Sequence, residues 1–332
     1  MKKVVVVSYP EDKHAQYVIQ KLKKAGAKVF LLNLGKYPHG GEITLNMSSN
    51  LNKHYYSEMV WGGKVIKPEE VSGIWWRRPN GEYGVDKKDM LKKYIDKESQ
   101  ILVKSISSIF SESIWISHPD ATLTADRKPI QLLAARKVGF RIPETCISNS
   151  PEMVIDFIKK MGKTPFIVKP VGSAFARLSK SDKQNSSMNR VIYTKIASKE
   201  LILDNIDMIK NCPIIFQEAV AKDCDIRVTV VGEKVFATAI DVEGDRKPED
   251  VDWRDAKFKR KYSLHILPDR ISKMCVKFTQ SLGLKFGCID LAFSKKGGYI
   301  FFEINPQGQW LPSEIVVGHD ISGELVKMLL NK

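Results

Sequence analysis

Nowhere in the 332-residue chain do eighteen apolar residues run together, so no transmembrane helix is expected. The five cysteines (Cys146, Cys212, Cys224, Cys275 and Cys288) are odd in number and lack any CxxC spacing. That argues against a disulfide framework or a thiolate metal knuckle, and for reduced core thiols in a cytoplasmic protein. No GxGxxG occurs, which argues against a dinucleotide-binding domain. The six histidines (His14, His39, His54, His118, His265 and His319) show no ligand spacing, and repeats and low-complexity tracts are missing. Acidic residues are in deficit: 53 Lys and Arg against 38 Asp and Glu leave a charge of +15. The excess is scattered and no nucleic-acid motif accompanies it, so nucleic acid is not the expected partner. A nucleotide together with an acidic peptide would suit the charge, and a lysine-rich surface is the plain alternative. Met1-Lys2-Lys3 and Val4 to Val7 superficially resemble a signal peptide. The apolar run stops at Ser8-Tyr9-Pro10, too short for such a segment, and reads as a buried first strand.

What is present centres on Phe286 to Gly308, which reads as a β-hairpin. Its arms are Gly287 to Ser294 and Tyr299 to Asn305, joined by Lys295-Lys296-Gly297-Gly298. Pairing Ser294 with Tyr299 sets Phe293 against Ile300 and Asp290 against Glu303. Period-two alternation then puts Asp290, Glu303 and Asn305 on one face, and Ile289, Leu291, Ile300, Phe302 and Ile304 on the other. Two carboxylates facing each other in an apolar hairpin repel unless a cation lies between them. Two carboxylates and an amide suit Mg²⁺, which takes one or two carboxylates plus substrate phosphates. An edge hairpin with its charges in water is the alternative.

The rest of the chain falls into two regions of different character. Up to about residue 117, strand and helix alternate: Val4–Ser8, a helix over Glu11–Ala25 stopped by Gly26, and Lys28–Leu32, a βαβ opening that predicts a small parallel sheet. Tyr55–Trp61 and Lys64–Lys67 read as a hairpin. Gly73–Pro79 reads as an aromatic strand ending in Arg77 and Arg78, which would meet phosphate or carboxylate, or simply water. Asp86–Phe110 reads as a long helix with Met90, Tyr94, Ile95, Leu102, Ile106 and Ile109 inward. From Ser117 onward a helix over Ala125–Val138 is followed by a second, capped by Ser150 and Pro151 and ended by Gly162. The strand Pro165–Pro170 carries Lys169 near its end, either snorkelling or set on an anion. A second hairpin, Asp225–Val230 with Val235–Ile240, puts Asp225, Arg227 and Thr229 on one face. Asp241–Lys261, with Trp253-Arg254, is charged and loop-like, and Ile271–Gly283 and Ile321–Leu330 are helices.

In order, these pieces are Lys128 at a helix start, the strand-end Lys169, Gln217-Glu218-Ala219-Val220, Asp225 to Gly232, and Asp290 with Glu303 and Asn305. The series resembles the ATP-grasp fold of carboxylate–amine ligases from about Ser117 to the C-terminus. With Ile74–Pro79 and Trp253-Arg254 added, the whole chain is similar to the microviridin- or graspetide-type ligases that cross-link a ribosomal precursor peptide. The resemblance implies an α/β (α+β) fold. Residues 1–117 would form an N-terminal pre-ATP-grasp domain with a small parallel sheet, 118–195 a central grasp lobe and 196–332 a C-terminal one. It implies ATP and Mg²⁺, with two ions, held by Asp290, Glu303 and Asn305. Lys128 and Lys169 would contact ATP phosphates from two sides, Gln217 to Val220 would edge the adenine, and Asp225 would meet the ribose. Arg227 and Arg254, with Lys169, would neutralise the γ-phosphate or acyl phosphate. The loop after Lys169, in which Gly172 is the only glycine, would close over the phosphates. The partner would be a precursor peptide with leader and acidic core, with no nucleic acid or membrane, and homodimer formation is left open. The implied activity is activation of Glu/Asp side chains as acyl phosphates and closure of ω-ester or ω-amide cross-links. Two other readings stand beside it: a grasp ligase adding a free amino acid to a protein or small-molecule carboxylate, and a nucleotide-binding module without catalysis.

Overall fold

The computed structural model describes residues 1–46, 49, 56–79, 90–172, 175–176, 190–191, 195–243 and 259–331. The N-terminal part holds strands β1 (Lys3–Val7), β2 (Lys28–Leu32), β3 (Gly41–Asn46), β4 (Tyr56–Trp61), β5 (Lys64–Ile66), β6 (Val71–Trp76) and β7 (Ile114–Ile116). Its helices are α1 (Lys13–Lys24), α2 (Met90–Lys104) and α3 (Ile106–Ile109). The strands β2-β1-β6-β7 form the expected parallel sheet, because the β1–α1–β2 crossover returns the chain in the same direction. The β3-β4-β5 meander lies beside it and contains the expected hairpin. Helix α2 departs from expectation. Met90, Tyr94 and Ile95 are exposed, and only the last turns (Val103, then Ile106 and Ile109 in α3) join the core under β6. The helix docks by its C-terminal end, so apolar spacing alone overstated how much of it is covered.

The middle of the chain supplies α4 (Pro119–Ala125), α5 (Lys128–Val138), β8 (Thr145–Ser148), α6 (Pro151–Met161), β9 (Phe166–Pro170), β10 (Phe175–Ala176), β11 (Arg190–Val191), β12 (Lys195–Ile196), α7 (Lys199–Asp204) and β13 (Ile214–Glu218). The expected Ala125–Val138 helix thus starts later, at Lys128, with Pro129 in its first turn, where a missing N–H costs nothing. The antiparallel sheet β12-β9-β13-β8 packs on α6 through Phe157, Phe166 and Phe216. The division expected at 195/196 falls inside this sheet, since β13 hydrogen-bonds between β9 and β8.

The C-terminal part is a five-stranded antiparallel sheet, β16-β15-β14-β17-β18, of β14 (Lys222–Val231), β15 (Lys234–Glu243), β16 (Lys259–Leu264), β17 (Phe286–Ser294) and β18 (Tyr299–Asn305). One face is covered by α5 and α8 (Asp269–Ser281) around Phe278, Ile289, Leu291 and Phe301. Two short helices, α9 (Leu311–Val317) and α10 (Ile321–Leu329), close the chain. Helix α10 packs back on the N-terminal sheet, so Ile321, Leu325 and Leu329 share a core with Val4, Val6, Trp75 and Trp310. Gly73 makes this approach feasible: a Cβ there would lie 2.5 Å from the Leu329 carbonyl oxygen. All five cysteines are free thiols. Cys275 and Cys288 are buried as expected of core residues, but Cys212 is exposed. Among the described residues no helix is long and apolar enough to cross a membrane.

Candidate active site

The register of three neighbouring strands builds the site. Arg227 on β14 pairs with Asp290 on β17, and Asp290 pairs with Glu303 on β18. One transverse row therefore reads cation, carboxylate, carboxylate. The next row is Thr229, Cys288, Asn305, and the one on the other side is Asp225, Ala292, Ile300. The expected Asp290–Glu303 pairing is present, but the turn end is offset by one: Phe293 pairs with Tyr299 and Ala292 with Ile300. A β-bulge at Phe302 absorbs the extra residue. In consequence Phe301 enters the core in place of Phe302, and Ile300 moves to the face of Asp290.

The Arg227 guanidinium reaches Asp290 Oδ1 at 2.6 Å. It also donates to the Gln309 carbonyl from Nε (3.4 Å) and Nη2 (3.2 Å). Burial alone would push Arg227 down, but Asp290 beside it, together with Cys288 and Glu303, offsets this and its pKa is raised. Asn305 Nδ2 lies 3.4 Å from Asp290 Oδ2 and 3.5 Å from Glu303 Oε1, so amide and carboxylates converge on one point. A half-turn of the amide brings Oδ1 there. Among the described residues no group of three His, Cys, Asp or Glu could hold a metal ion. Two carboxylates plus an amide oxygen do suit a hard Mg²⁺ completed by phosphate oxygens and water. Cys288, between Thr229 and Asn305, is no ready nucleophile, because burial pushes its thiol up despite the nearby Arg227.

The turn after Asn305 is held tightly. Gly308 packs against Cys288, where a Cβ would lie 2.3 Å from that of the cysteine. Arg77, from the end of β6, is completely buried and donates through Nη1 to the carbonyls of Gln307 and of Gly308, the latter at 3.0 Å. Its Nε lies 3.4 Å from Asp12 Oδ2. The solvated strand end entertained for Arg77 is thus replaced by an internal carboxylate. Arg78 is half-buried and donates to Tyr9 Oη at 3.1 Å.

On the central sheet, Lys169 pairs with Ile215 and by alternation lies on the face opposite α6, with Ile167 and Gln217. Lys128, at the start of α5, donates to the Gly172 carbonyl at 2.6 Å, which brings the two lysine-bearing segments together. Gln217 is buried and donates to Thr145 Oγ1 at 2.8 Å. Glu218 accepts from the Glu144 N–H, while its own N–H and that of Ala219 go to the carbonyls of Glu144 and Pro165. Those two N–H groups are thus used within the protein. Asp225 is buried and forms a 2.5 Å ion pair with Lys222. Arg254, with Trp253, lies outside the described residues, as does most of the loop after Gly172.

Sequence reasoning missed Gln131 and the contacts of Arg77. Gln131 carried one signal: a polar residue on the buried stripe of α5, three positions after Lys128.

Comparisons with known proteins fit this arrangement. The macrocyclase MdnC of Microcystis aeruginosa MRC, solved with its precursor peptide MdnA, overlays 99% of this chain and 100% of its own, with a TM-score of 0.80 at 26% identity. A RiPP-associated ATP-grasp ligase of Chryseobacterium gregarium, solved with ADP and a leader and core peptide, overlays 100% of this chain and 97% of its own, with a TM-score of 0.84 at 24% identity. The ribosomal protein bS6–L-glutamate ligase of Salmonella paratyphi B is 27% identical over 205 residues, 61% of this chain. The chain spans 62% of the length of that curated relative. Residues 3–122 match the model of the MvdD pre-ATP grasp domain. Residues 124–329, more than half of the chain, match that of the RimK-like ATP-grasp domain, and the chain belongs to the RimK-like ATP-grasp family.

Proposed function

We propose that the protein is an ATP-dependent ligase that activates Glu or Asp side chains of a ribosomal precursor peptide and closes them into ω-ester or ω-amide macrocycles. One observation carries this reading. The Arg227–Asp290–Glu303 row, with Asn305 beside it, sits in a chain that is similar over its whole length to a macrocyclase solved with its precursor peptide.

Asp290, Glu303 and Asn305 would hold Mg²⁺, for which two ions are proposed; bound there, Mg²⁺ supplies charge neutralisation on the phosphates. Lys128 and Lys169 grip the phosphates, and the Gln217–Val220 linker edges the adenine. Asp225, fixed by Lys222, binds the ribose. Arg227, and Arg254 beyond the described residues, stabilise charge on the transferred phosphoryl group. A peptide carboxylate oxygen attacks the γ-phosphorus and ADP leaves. A hydroxyl or amine of the same peptide then attacks the acyl carbon, phosphate leaves, and its proton passes to solvent. Positioning and charge neutralisation do the catalysis, with no enzyme-bound acyl group. We also propose a cytoplasmic location.

A second reading rests on the glutamate ligases that match across the grasp portion: addition of a free amino acid to a carboxylate. Mass spectrometry separates the two. Incubated with ATP, Mg²⁺, free glutamate and an acidic precursor peptide, the protein should remove one water per cross-link. A mass gain of an amino-acid residue supports the second reading, and an unchanged peptide without ADP formation overturns both.

A further inference from the structure

The edge of the metal-ligand strand is held by a side chain outside the chemistry described so far. Strand β18 is the last of its sheet, so its outer backbone groups have no neighbouring strand in that sheet. At Ile304, the residue between Glu303 and Asn305, one side chain takes both of them. Gln131 Oε1 accepts from the Ile304 N–H at 3.1 Å, and Gln131 Nε2 donates to the Ile304 carbonyl at 2.9 Å. The second Nε2 hydrogen goes to the Ala125 carbonyl at 2.7 Å, at the end of α4. The amide is 3% exposed and uses both its hydrogens and its oxygen. It imitates a one-residue strand pairing, and it does so where the flanking side chains point to the carboxylate–amide cluster.

Gln131 also stands three residues after Lys128 on the same helix, one turn along the same face. Lys128 reaches across to the Gly172 carbonyl, in the segment that follows Lys169. A rigid helix turn therefore joins a lysine at the loop to the backbone between two oxygen ligands. We infer that Gln131 is a positioning residue that sets the distance between the phosphate-gripping Lys128 and the Glu303–Asn305 pair. The inference rests on the Mg·ATP reading of that cluster. Its chemistry is that of an outer-shell partner: it touches neither nucleotide nor metal, and orients groups that do.

The test is Gln131→Met, which keeps the length and apolar stem and removes all three hydrogen bonds. Leu132→Ala, one residue on and buried in the same core, serves as a control that loosens the helix without touching the bridge. Mg·ATP affinity is measured by calorimetry, melting temperature without ligand, and exchange of the Ile304 amide by hydrogen–deuterium exchange. For Gln131→Met, Mg·ATP binding should weaken about 10- to 100-fold, the range seen for outer-shell partners, and the Ile304 amide should lose protection. KM for the peptide should stay unchanged. Leu132→Ala should lower the melting temperature with Mg·ATP affinity within about twofold of wild type. Equal loss of affinity in both variants would reduce Gln131 to a packing residue, and wild-type affinity in Gln131→Met would overturn the inference outright. If wild type itself binds no Mg·ATP, the functional reading fails first and takes the inference with it.

Discussion

Two buried arginines hold successive carbonyls of the turn that follows Asn305, and they do so from different regions. Arg227 belongs to the site sheet and reaches the Gln309 carbonyl; Arg77 comes from the N-terminal sheet and reaches the carbonyls of Gln307 and Gly308. Each has a carboxylate, Asp290 at 2.6 Å and Asp12 at 3.4 Å. Burial presses on both, yet Arg227 is raised whereas Arg77 is lowered to about 10. The difference follows from the surroundings: Asp290, with Cys288 and Glu303, offsets the desolvation of Arg227, whereas Asp12 does not offset that of Arg77 beside the like-charged Arg78. The site sheet thus carries its charge balance within itself, while the N-terminal domain holds a desolvated cation against the same turn.

The largest effect separating the two regions should come from Arg227→Met set beside Arg77→Met, each followed by urea denaturation. Breaking the short buried pair should cost about 3–5 kcal/mol. Arg77→Met should cost less, about 1–3 kcal/mol, since the lost bonds are mainly to carbonyls. Asp12 also keeps the Ser8 hydroxyl at 2.9 Å and its cap bond from the His14 N–H at 3.0 Å. A larger loss for Arg77→Met would mean that the domain contact, not the sheet, fixes the turn.

A further effect should appear with pH. His14, on the first turn of α1, meets Trp310 edge-on at 5.1 Å between ring centroids. Burial first, and then the charge of Arg77, hold its pKa down at about 3 against an ordinary 6.5. Below 6.5 the unfolded chain takes up a proton that the folded chain refuses until about 3. The stability gained by keeping His14 neutral is therefore complete above 6.5 and is lost as pH falls across that window. Melting temperature should decline over this range, and His14→Asn should flatten the decline. Both arginines stay charged in acid, and His14 packs against Trp310 on the N-terminal side of the turn, so acid should loosen that side first. An unchanged acid profile in His14→Asn would remove the histidine from that role.

How much of this was legible beforehand follows from the range of the interactions. Asp290, Glu303 and Asn305 lie in one hairpin, where alternation and turn length decide which side chains meet, and even a bulge at Phe302 left Asp290 opposite Glu303. Arg227 was legible as a neighbour of Asp225 and Thr229 on one strand face, but the pairing of that strand with β17 was not, because it joins segments about sixty residues apart. Gln131 and Arg77 were harder still. Their partners are backbone carbonyls and N–H groups, which every residue carries, so no pattern of side chains announces them. The parallel N-terminal sheet was readable from its βαβ opening, whereas the return of α10 onto that sheet left only Gly73 as a trace.

If ATP is turned over on the Asp290–Glu303–Asn305 face, ADP formation by Glu303→Gln with Mg²⁺ and precursor peptide present will reveal it. The substitution preserves shape and removes one carboxylate charge. No detectable ADP is expected from a protein that melts as wild type does; ADP formation at the wild-type rate would mean that ATP is turned over elsewhere.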